Sequence, residues 1–348
     1  MSQNDIDVIV YWVDSGDAKW RQKRDSYCQN KDCGDLTDNT KNSDSADNRY
    51  RDWDNLKYLF RGIEQYAPWV RKVFFVSDGQ IPTWLRTDHD KLVIVDHKDY
   101  MPEKYLPTFS ANPIELNFHR IEGLSERFLV VNDDFFFTSP TTAGDFFVDG
   151  KPVDIMMEYP VMCSGYNPVF SSIITNDHNL VGKHFARKEY KKRLRGKILS
   201  PKYGAYFIYN LLMYLIPFPK YFGLLTPHFT RPYLKSSMEK VWELEEQKLD
   251  ETCMHKFRDR DDVNIYVFRN YNILSGNFVP GNIHKMGHAF YIKDVEDGAR
   301  ESAAAIKSRK YKLVCLNDDC KPEAFEECKA LINEAFETIL PDKCSYEK

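Results

Sequence analysis

The sequence predicts an α/β fold, an open and mostly parallel sheet interrupted by a helical insertion. Three observations predict it. Short apolar runs alternate with segments of helical period, which is the pattern of strand–helix–strand units. Each apolar run closes on a polar turn, and open α/β sheets gather ligands at the carboxyl ends of their strands. A chain of 348 residues with 43% hydrophobic residues has the material for one large domain or two modest ones.

The elements follow in order. Asp5–Asp17, DIDVIVYWVDSGD, reads as a first strand running into a turn. Residues 25–50 hold few apolar side chains and read as a long polar loop of the kind that serves as a lid. Asp54–Tyr66 places Leu56, Leu59, Phe60 and Ile63 at helical spacing, with Asp54 as the expected N-cap and Pro68 after the end. Lys72–Gly79 and Lys91–His97 are the second and third strands. Asn112–Ile121 is a predicted helix with Pro113 in its first turn. Arg127–Asp134 is the fourth strand. Residues 1–180 are therefore expected to form the α/β core, 181–225 the insertion and 226–348 the remainder of the domain, closing on an amphipathic helix over Pro322–Leu340. That helix carries the stripe Phe325, Cys328, Leu331, Ile332, Ala335, Phe336 and Ile339.

The insertion has its own character. Ala186–Lys202 carries eight Lys/Arg and one Glu, and the strongly apolar Ala205–Phe218 follows. That run is too short to span a bilayer comfortably and is closed by Pro217 and Pro219. A buried helix is the expectation. The alternative is a basic and aromatic face for peripheral membrane contact, or for a lipid-linked acceptor.

Bulk charge narrows the function. A net charge of −4 argues against a nucleic-acid partner. The chain opens on no cationic-then-apolar leader, so a cytoplasmic protein is expected. Its eight cysteines read as reduced thiols. A zinc site from Cys28, Cys33, Cys315 and Cys320 is the weaker reading, because no close CxxC pair exists.

The candidate chemistry starts at RFLVVNDDFFF, where a buried strand ends in Asn132, Asp133 and Asp134. Two adjacent carboxylates repel, and sheltering them is costly without a cation. Hard oxygen ligands suit Mg²⁺ or Mn²⁺; the plainer reading is a cluster that caps a turn. CLNDD, Cys315–Asp319, repeats the pattern at the end of a second apolar run and offers another ligand or another turn. His228, Arg231 and Lys235 lie close in sequence, as do His255, Arg258 and Arg260. Such cations can neutralise the charge that develops on phosphoryl oxygens, and Arg binds phosphate bidentately. Surface pairing with neighbouring Asp is the alternative. His284 and His288 lie in a stretch with Gly281 and Gly287 and read as part of a loop rather than a site.

Four separated blocks together resemble the Stealth family of sugar-1-phosphate transferases: IDVIVYWVDSGD; DNLKYLFRGIEQY through RFLVVNDDFFF; PHFTRPYLK through TCMHKFRDRDDVN; and CLNDD with the closing ILPDKCSYEK. The resemblance implies a nucleotide-sugar-transferase-like fold (Rossmann-like or GT-A-like) and a phosphotransferase. It would move a hexose-1-phosphate or N-acetylhexosamine-1-phosphate from a nucleotide-diphosphate sugar, expected to be UDP-linked, to a hydroxyl of a saccharide or lipid-linked saccharide in capsule or surface-polysaccharide synthesis. It implies catalytic roles for Asp133, Asp134, His228 and Arg258, and a Mg²⁺ or Mn²⁺ site of Asp133, Asp134 and Asp318. It also implies a donor pocket that includes Trp12, Asp14, Asp17, Arg61 and Asp78. Where relatives read Gly then Ser or Thr in the first block, this chain reads Ser15-Gly16, which shifts the flexible position by one. The alternatives are a metal-dependent glycosyltransferase using the same donor, a non-catalytic polysaccharide or nucleotide-sugar binding protein, and a zinc hydrolase.

Overall fold

The computed structural model describes residues 5–28, 51–161, 167–228 and 230–348. Its strands are β1 (Ile6–Tyr11), β2 (Val73–Ser77), β3 (Leu92–Asp96), β4 (Arg127–Asn132), β5 (Phe135–Phe137), β6 (Phe147–Val148), β7 (Lys151–Asp154), β8 (Arg231–Leu234), β9 (Val279–Pro280), β10 (Gly287–Ile292) and β11 (Leu313–Asp318). Its α-helices are α1 (Ala18–Cys28), α2 (Leu56–Tyr66), α3 (His97–Tyr100), α4 (Ala111–Leu116), α5 (Pro168–Gly182), α6 (Arg187–Arg193), α7 (Arg195–Ile198), α8 (Tyr206–Leu215), α9 (Lys235–Met254), α10 (Tyr266–Ser275), α11 (Ala299–Lys307) and α12 (Phe325–Ile339).

The main sheet has the order β3-β2-β1-β4-β8. β1 to β4 run parallel, and β8 returns antiparallel against β4. The open, mostly parallel α/β sheet expected from the sequence is the one that forms. Its strands are buried almost end to end, because helices and loops cover both faces. From β1 the chain adds β2 and β3 on one side and then crosses to place β4 on the other. The order therefore reverses between β1 and β4, whose last residues, Tyr11 and Asn132, lie opposite each other. The crevice beyond such a reversal is where an open α/β sheet holds its ligand.

A second sheet, β10-β11-β5, is joined to the first through the Asp133–Asp134 turn that links β4 to β5. β11 runs antiparallel to β5, with Cys315 opposite Phe135. One apolar core runs from Ile6 to Tyr346 through all three sequence segments.

Several local expectations are corrected. α2 starts at Leu56 with Asn55 in the cap position and no side-chain cap bond. Asp54 instead adopts a positive φ of 51° and pairs with Lys329. Asp25 to Cys28 belong to α1, and residues 29–50, the rest of the proposed lid, lie outside the described residues. The predicted helix over Asn112–Ile121 is shorter: α4 ends at Leu116 and a single 3₁₀ turn follows over Phe118–Arg120. The apolar run that precedes Asn317 forms β11, and the strand extends through Asn317 and Asp318, its last residues.

The largest correction concerns Ala205–Phe218. A helix forms, but among its residues only Asn210 is buried. Apolar content predicts burial only when a core is available, and here the polar side of the helix faces the protein. None of the helices among the described residues is long and apolar enough to cross a membrane.

Candidate active site

The acidic turn sits at the reversal point because β4 delivers it there. Asn132 pairs with Tyr11 at the end of the parallel ladder, and Asp133 and Asp134 turn the chain into β5. Asp133 keeps an exposed edge at the mouth of the crevice. Burial of its inner side, then the neighbouring Asp134 carboxylate, push its carboxyl up to about 7. Asp134 lies deeper. Its Oδ1 is buried without a hydrogen-bond partner, and its Oδ2 accepts from the Cys315 thiol at 3.4 Å.

Two other strands bring chemistry to this turn. β8 pairs with β4 so that Arg231 faces Val130. The residues before Arg231 therefore run back past the end of β4, and His228 arrives with Nε2 3.8 Å from Asp134 Oδ2. The His228 ring lies 5.3 Å from Phe135, and its Nδ1 is 3.4 Å from the Tyr266 hydroxyl. β11 supplies Cys315 opposite Phe135, and the Leu316 amide donates to the Asp134 carbonyl at 2.9 Å. Asp134, His228 and Cys315 offer ligand atoms that all lie within 4.8 Å of one another. Burial holds the Cys315 thiol well above its ordinary value, so it stays protonated and donates.

Glu115, on α4, forms the next layer. The Tyr11 hydroxyl at the end of β1 donates to its Oε1 at 2.5 Å. Burial pushes this carboxyl up to about 7, opposed by the Tyr11 bond and by the positive charges of Arg258 and His228. The loop that carries Arg258 is held by Asp262. The Asp262 carboxylate accepts from His255 Nδ1 at 2.6 Å, from Asn112 Nδ2 at 2.8 Å and from the Asp259 amide at 3.0 Å. Arg231, fully enclosed, lies with its guanidinium carbon 4.9 Å from the centre of the Tyr266 ring.

Asp134, His228 and Cys315 thus meet, beside Asp133 in the same turn. Asp318 does not join the Asp134–His228–Cys315 group. Its carboxylate accepts from Arg51 Nη2 at 2.7 Å and Nε at 3.1 Å, and from Trp53 Nε1 at 3.1 Å. Burial pushes its carboxyl up despite that pairing.

The expected donor-pocket residues divide. Trp12 follows β1 directly, with its amide on the Val76 carbonyl and its ring beside Phe75. Asp14 and Gln80 join the β1 and β2 turns: the Asp14 amide donates to Gln80 Oε1 at 2.8 Å, and Gln80 Nε2 donates to the Asp14 carbonyl at 2.9 Å. The Asp14 carboxylate accepts from the Gly16 amide at 2.7 Å, where a Cβ on residue 16 would meet Asp14 Oδ1 at 2.9 Å. The glycine in second place after Asp14 therefore has a local cause in this chain. Asp17 caps α1 through the Lys19 amide at 2.8 Å, a bond that lowers its carboxyl below the ordinary value. Asp78 pairs with Lys23 at 2.7 Å. Arg61 stands apart. Its guanidinium is spent on Glu347, Glu337 and the carbonyls of Leu340 and Pro341, which fastens α2 to the C-terminal segment.

Sequence reasoning passed over Glu115, Tyr11 and Gln80. A signal for Glu115 existed: it is the lone acid in a short helix whose other residues are apolar or small. Tyr11 and Gln80 carried none, since their partners lie 104 and 66 residues away. The proposed zinc set does not assemble either. Cys28 is disulfide-bonded rather than a reduced thiol, Cys315 faces Asp134, Cys320 faces Cys328, and Cys33 lies outside the described residues.

Residues 49–154 match Stealth protein conserved region 2, and residues 304–348 match conserved region 4. The receptor polysaccharide phosphotransferase WefC of Streptococcus oralis is 37% identical over 345 residues, spanning 99% of each chain. The capsular polysaccharide phosphotransferase WcwK of Streptococcus pneumoniae is 34% identical over 343 residues, spanning 99% of this chain and 98% of its own. The exopolysaccharide phosphotransferase cps2G of Lactiplantibacillus plantarum is 34% identical over 348 residues, spanning 99% and 96%. Among solved structures, the galactosyltransferase LgtC with donor and acceptor sugar analogs overlays at a TM-score of 0.38 and 10% identity, covering 94% of this chain and 95% of that one. That likeness is too slight to carry an argument. The protein is an α/β enzyme that transfers phosphate-containing groups. It belongs to the Stealth family.

Proposed function

We propose that the protein moves a hexose-1-phosphate, or its N-acetylhexosamine counterpart, from a UDP-linked sugar to a hydroxyl of a surface or capsular polysaccharide. The observation that supports it most is the meeting of an acidic turn with His228 at the reversal point of the sheet, beside a buried Glu115 that feels the charges of His228 and Arg258. In the reaction the acceptor oxygen attacks the phosphorus that carries the donor sugar. The bond from that phosphorus to the bridging oxygen breaks, UMP leaves, and a phosphodiester forms.

Mg²⁺ or Mn²⁺ fits the site. Asp134 Oδ1 is a buried acceptor without a hydrogen-bond partner, and the neighbouring Asp133 carboxyl is pushed up by burial and by Asp134. Asp134 would hold the ion, which when bound neutralises charge on the diphosphate. Asp318 ends the strand that carries Cys315. Its entry into the metal shell requires Arg51 to release it.

The protein's own groups account for the remaining steps. Asp133, at the open edge of the crevice, takes the proton of the acceptor hydroxyl. Arg258 and His228 donate hydrogen bonds to the phosphoryl oxygens on which charge develops. Glu115, fixed by Tyr11, orients those two cations. Trp12 and the Asp14–Asp17 turn, beyond β1, receive the nucleotide.

The test is incubation with a panel of nucleotide sugars, Mg²⁺ or Mn²⁺ and a saccharide acceptor, with the released nucleotide identified by mass spectrometry. UMP is the expected product. UDP would mean attack at the sugar carbon and would overturn the proposal.

A further inference from the structure

α8 is built the wrong way round for a soluble helix. Ile208, Leu211, Leu212 and Leu215 recur at helical spacing on its outer face, and Ile208, Leu212 and Leu215 are 64%, 60% and 67% exposed. Ile216 and Phe218 extend the apolar surface past its end. The inner face is the polar one. Asn210, 1% exposed, donates to the carbonyls of Met156 at 2.8 Å and Ile198 at 2.9 Å, and the Tyr209 hydroxyl donates to the Glu158 carbonyl at 3.0 Å.

The orientation is firmly fixed. Arg187, 3% exposed and paired with Glu158 at 2.6 Å, donates to the carbonyls of Met213, Ile216 and Phe218. Lys191 donates to the Tyr214 carbonyl. Side chains from α6 therefore satisfy the orphan carbonyls at the C-terminal end of α8. The leucines cannot turn inward without breaking these bonds.

The surroundings are cationic. Lys188, Lys192 and Arg195 are exposed and recur at helical spacing, one row round from the Arg187–Lys191 row that grips α8. The chain contains no Asp or Glu between Glu189 and Glu239, although it holds more acidic than basic residues overall. Lysine is depleted at protein–protein interfaces. A Leu/Ile stripe flanked by Lys and Arg matches anionic headgroups above an apolar layer.

We propose that α8 and the basic row of α6 and α7 form an interfacial docking surface for an anionic lipid bilayer, with the leucines at the acyl boundary and the cations among the headgroups. The inserted segment leads through Leu224 and His228 into β8, so docking would set the crevice close to the membrane surface. The inference rests on the surface alone and does not depend on which nucleotide the reaction releases.

The test is flotation of the full-length protein with phosphatidylcholine vesicles containing phosphatidylglycerol, against pure phosphatidylcholine vesicles. Binding is expected on the anionic vesicles only, falling at high salt. Leu212→Asp with Leu215→Asp should weaken it at least about tenfold, with circular dichroism and Tm unchanged because both side chains already face water. Lys188→Glu with Lys192→Glu should weaken it as well. Equal binding to neutral vesicles, or unchanged binding by the leucine variant, would overturn the proposal. So would a wild-type dimer that the leucine variant converts to monomer, since the covering surface would then be a second copy of the chain.

Discussion

Arg61→Ala separates two roles for one residue. The resemblance to relatives placed Arg61 with the donor pocket; the structure commits it to the C-terminal segment. Its side chain is 7% exposed and that of its partner Glu347 is 5% exposed. Two parallel bonds, Nε to Oε1 at 2.7 Å and Nη2 to Oε2 at 3.0 Å, join them, and Nη1 adds the Leu340 carbonyl at 2.8 Å. Truncation leaves a buried carboxylate and a buried carbonyl uncompensated, which costs about 3–5 kcal/mol when one partner of a buried pair is removed. That is a large fraction of the about 5–15 kcal/mol that holds an ordinary domain together. The pair also titrates. Its bonds to Arg61 hold the Glu347 carboxyl below its ordinary 4.5 against the opposing effect of burial. Its stabilisation is therefore present above pH 4.5 and is lost as pH falls through the lower, folded value. Urea denaturation of wild type and Arg61→Ala across that range is the assay. The expected gap is widest near neutral pH and narrows in acid, with KM for the donor unchanged in the fraction that remains folded. A loss under about 1 kcal/mol accompanied by a raised donor KM would refute this reasoning and return Arg61 to the pocket.

Arg258→Ala should lower kcat/KM by about a hundredfold or more, on the order of 3 kcal/mol in the barrier, with no change in Tm; steady-state kinetics on a nucleotide-sugar donor measures it. His255→Gln should destabilise chiefly below pH 6.5. The bond to Asp262 raises the His255 pKa above that value, so the contribution is complete below it and fades as pH rises through the folded value, which Tm measured at acid and alkaline pH would show. Gly62→Ala should cost about 1–3 kcal/mol by overpacking, because a Cβ there would lie 2.6 Å from the Phe137 carbonyl oxygen, and calorimetry would detect it.

What could be read from the sequence had local causes. The four strands of the parallel ladder announced themselves because each is a short apolar run closed by a polar turn. Asp133 and Asp134 were visible because adjacent carboxylates at the end of a buried strand are costly without a cation. The orientation of α8 was hidden: composition gives hydrophobicity but not the direction a helix faces, and Arg187, Lys191 and Asn210 decide it through tertiary bonds. Glu115, Tyr11 and Gln80 were hidden for a similar reason, since their roles come from the order in which strands stack. Arg51 and Asp318 lie 267 residues apart, and only the fold pairs them. The shared acidic character of Asp134 and Asp318 suggested one cluster, whereas register gives Asp134 the company of His228 and Cys315.

The central claim is that Asp134 anchors a divalent cation at the reversal point of the sheet. Electron paramagnetic resonance titration of Mn²⁺ into the protein with UDP present tests it most directly. Wild type should bind one Mn²⁺, and Asp134→Asn, with unchanged circular dichroism, should bind it at least about tenfold more weakly. Equal Mn²⁺ affinity in the two proteins would contradict the claim.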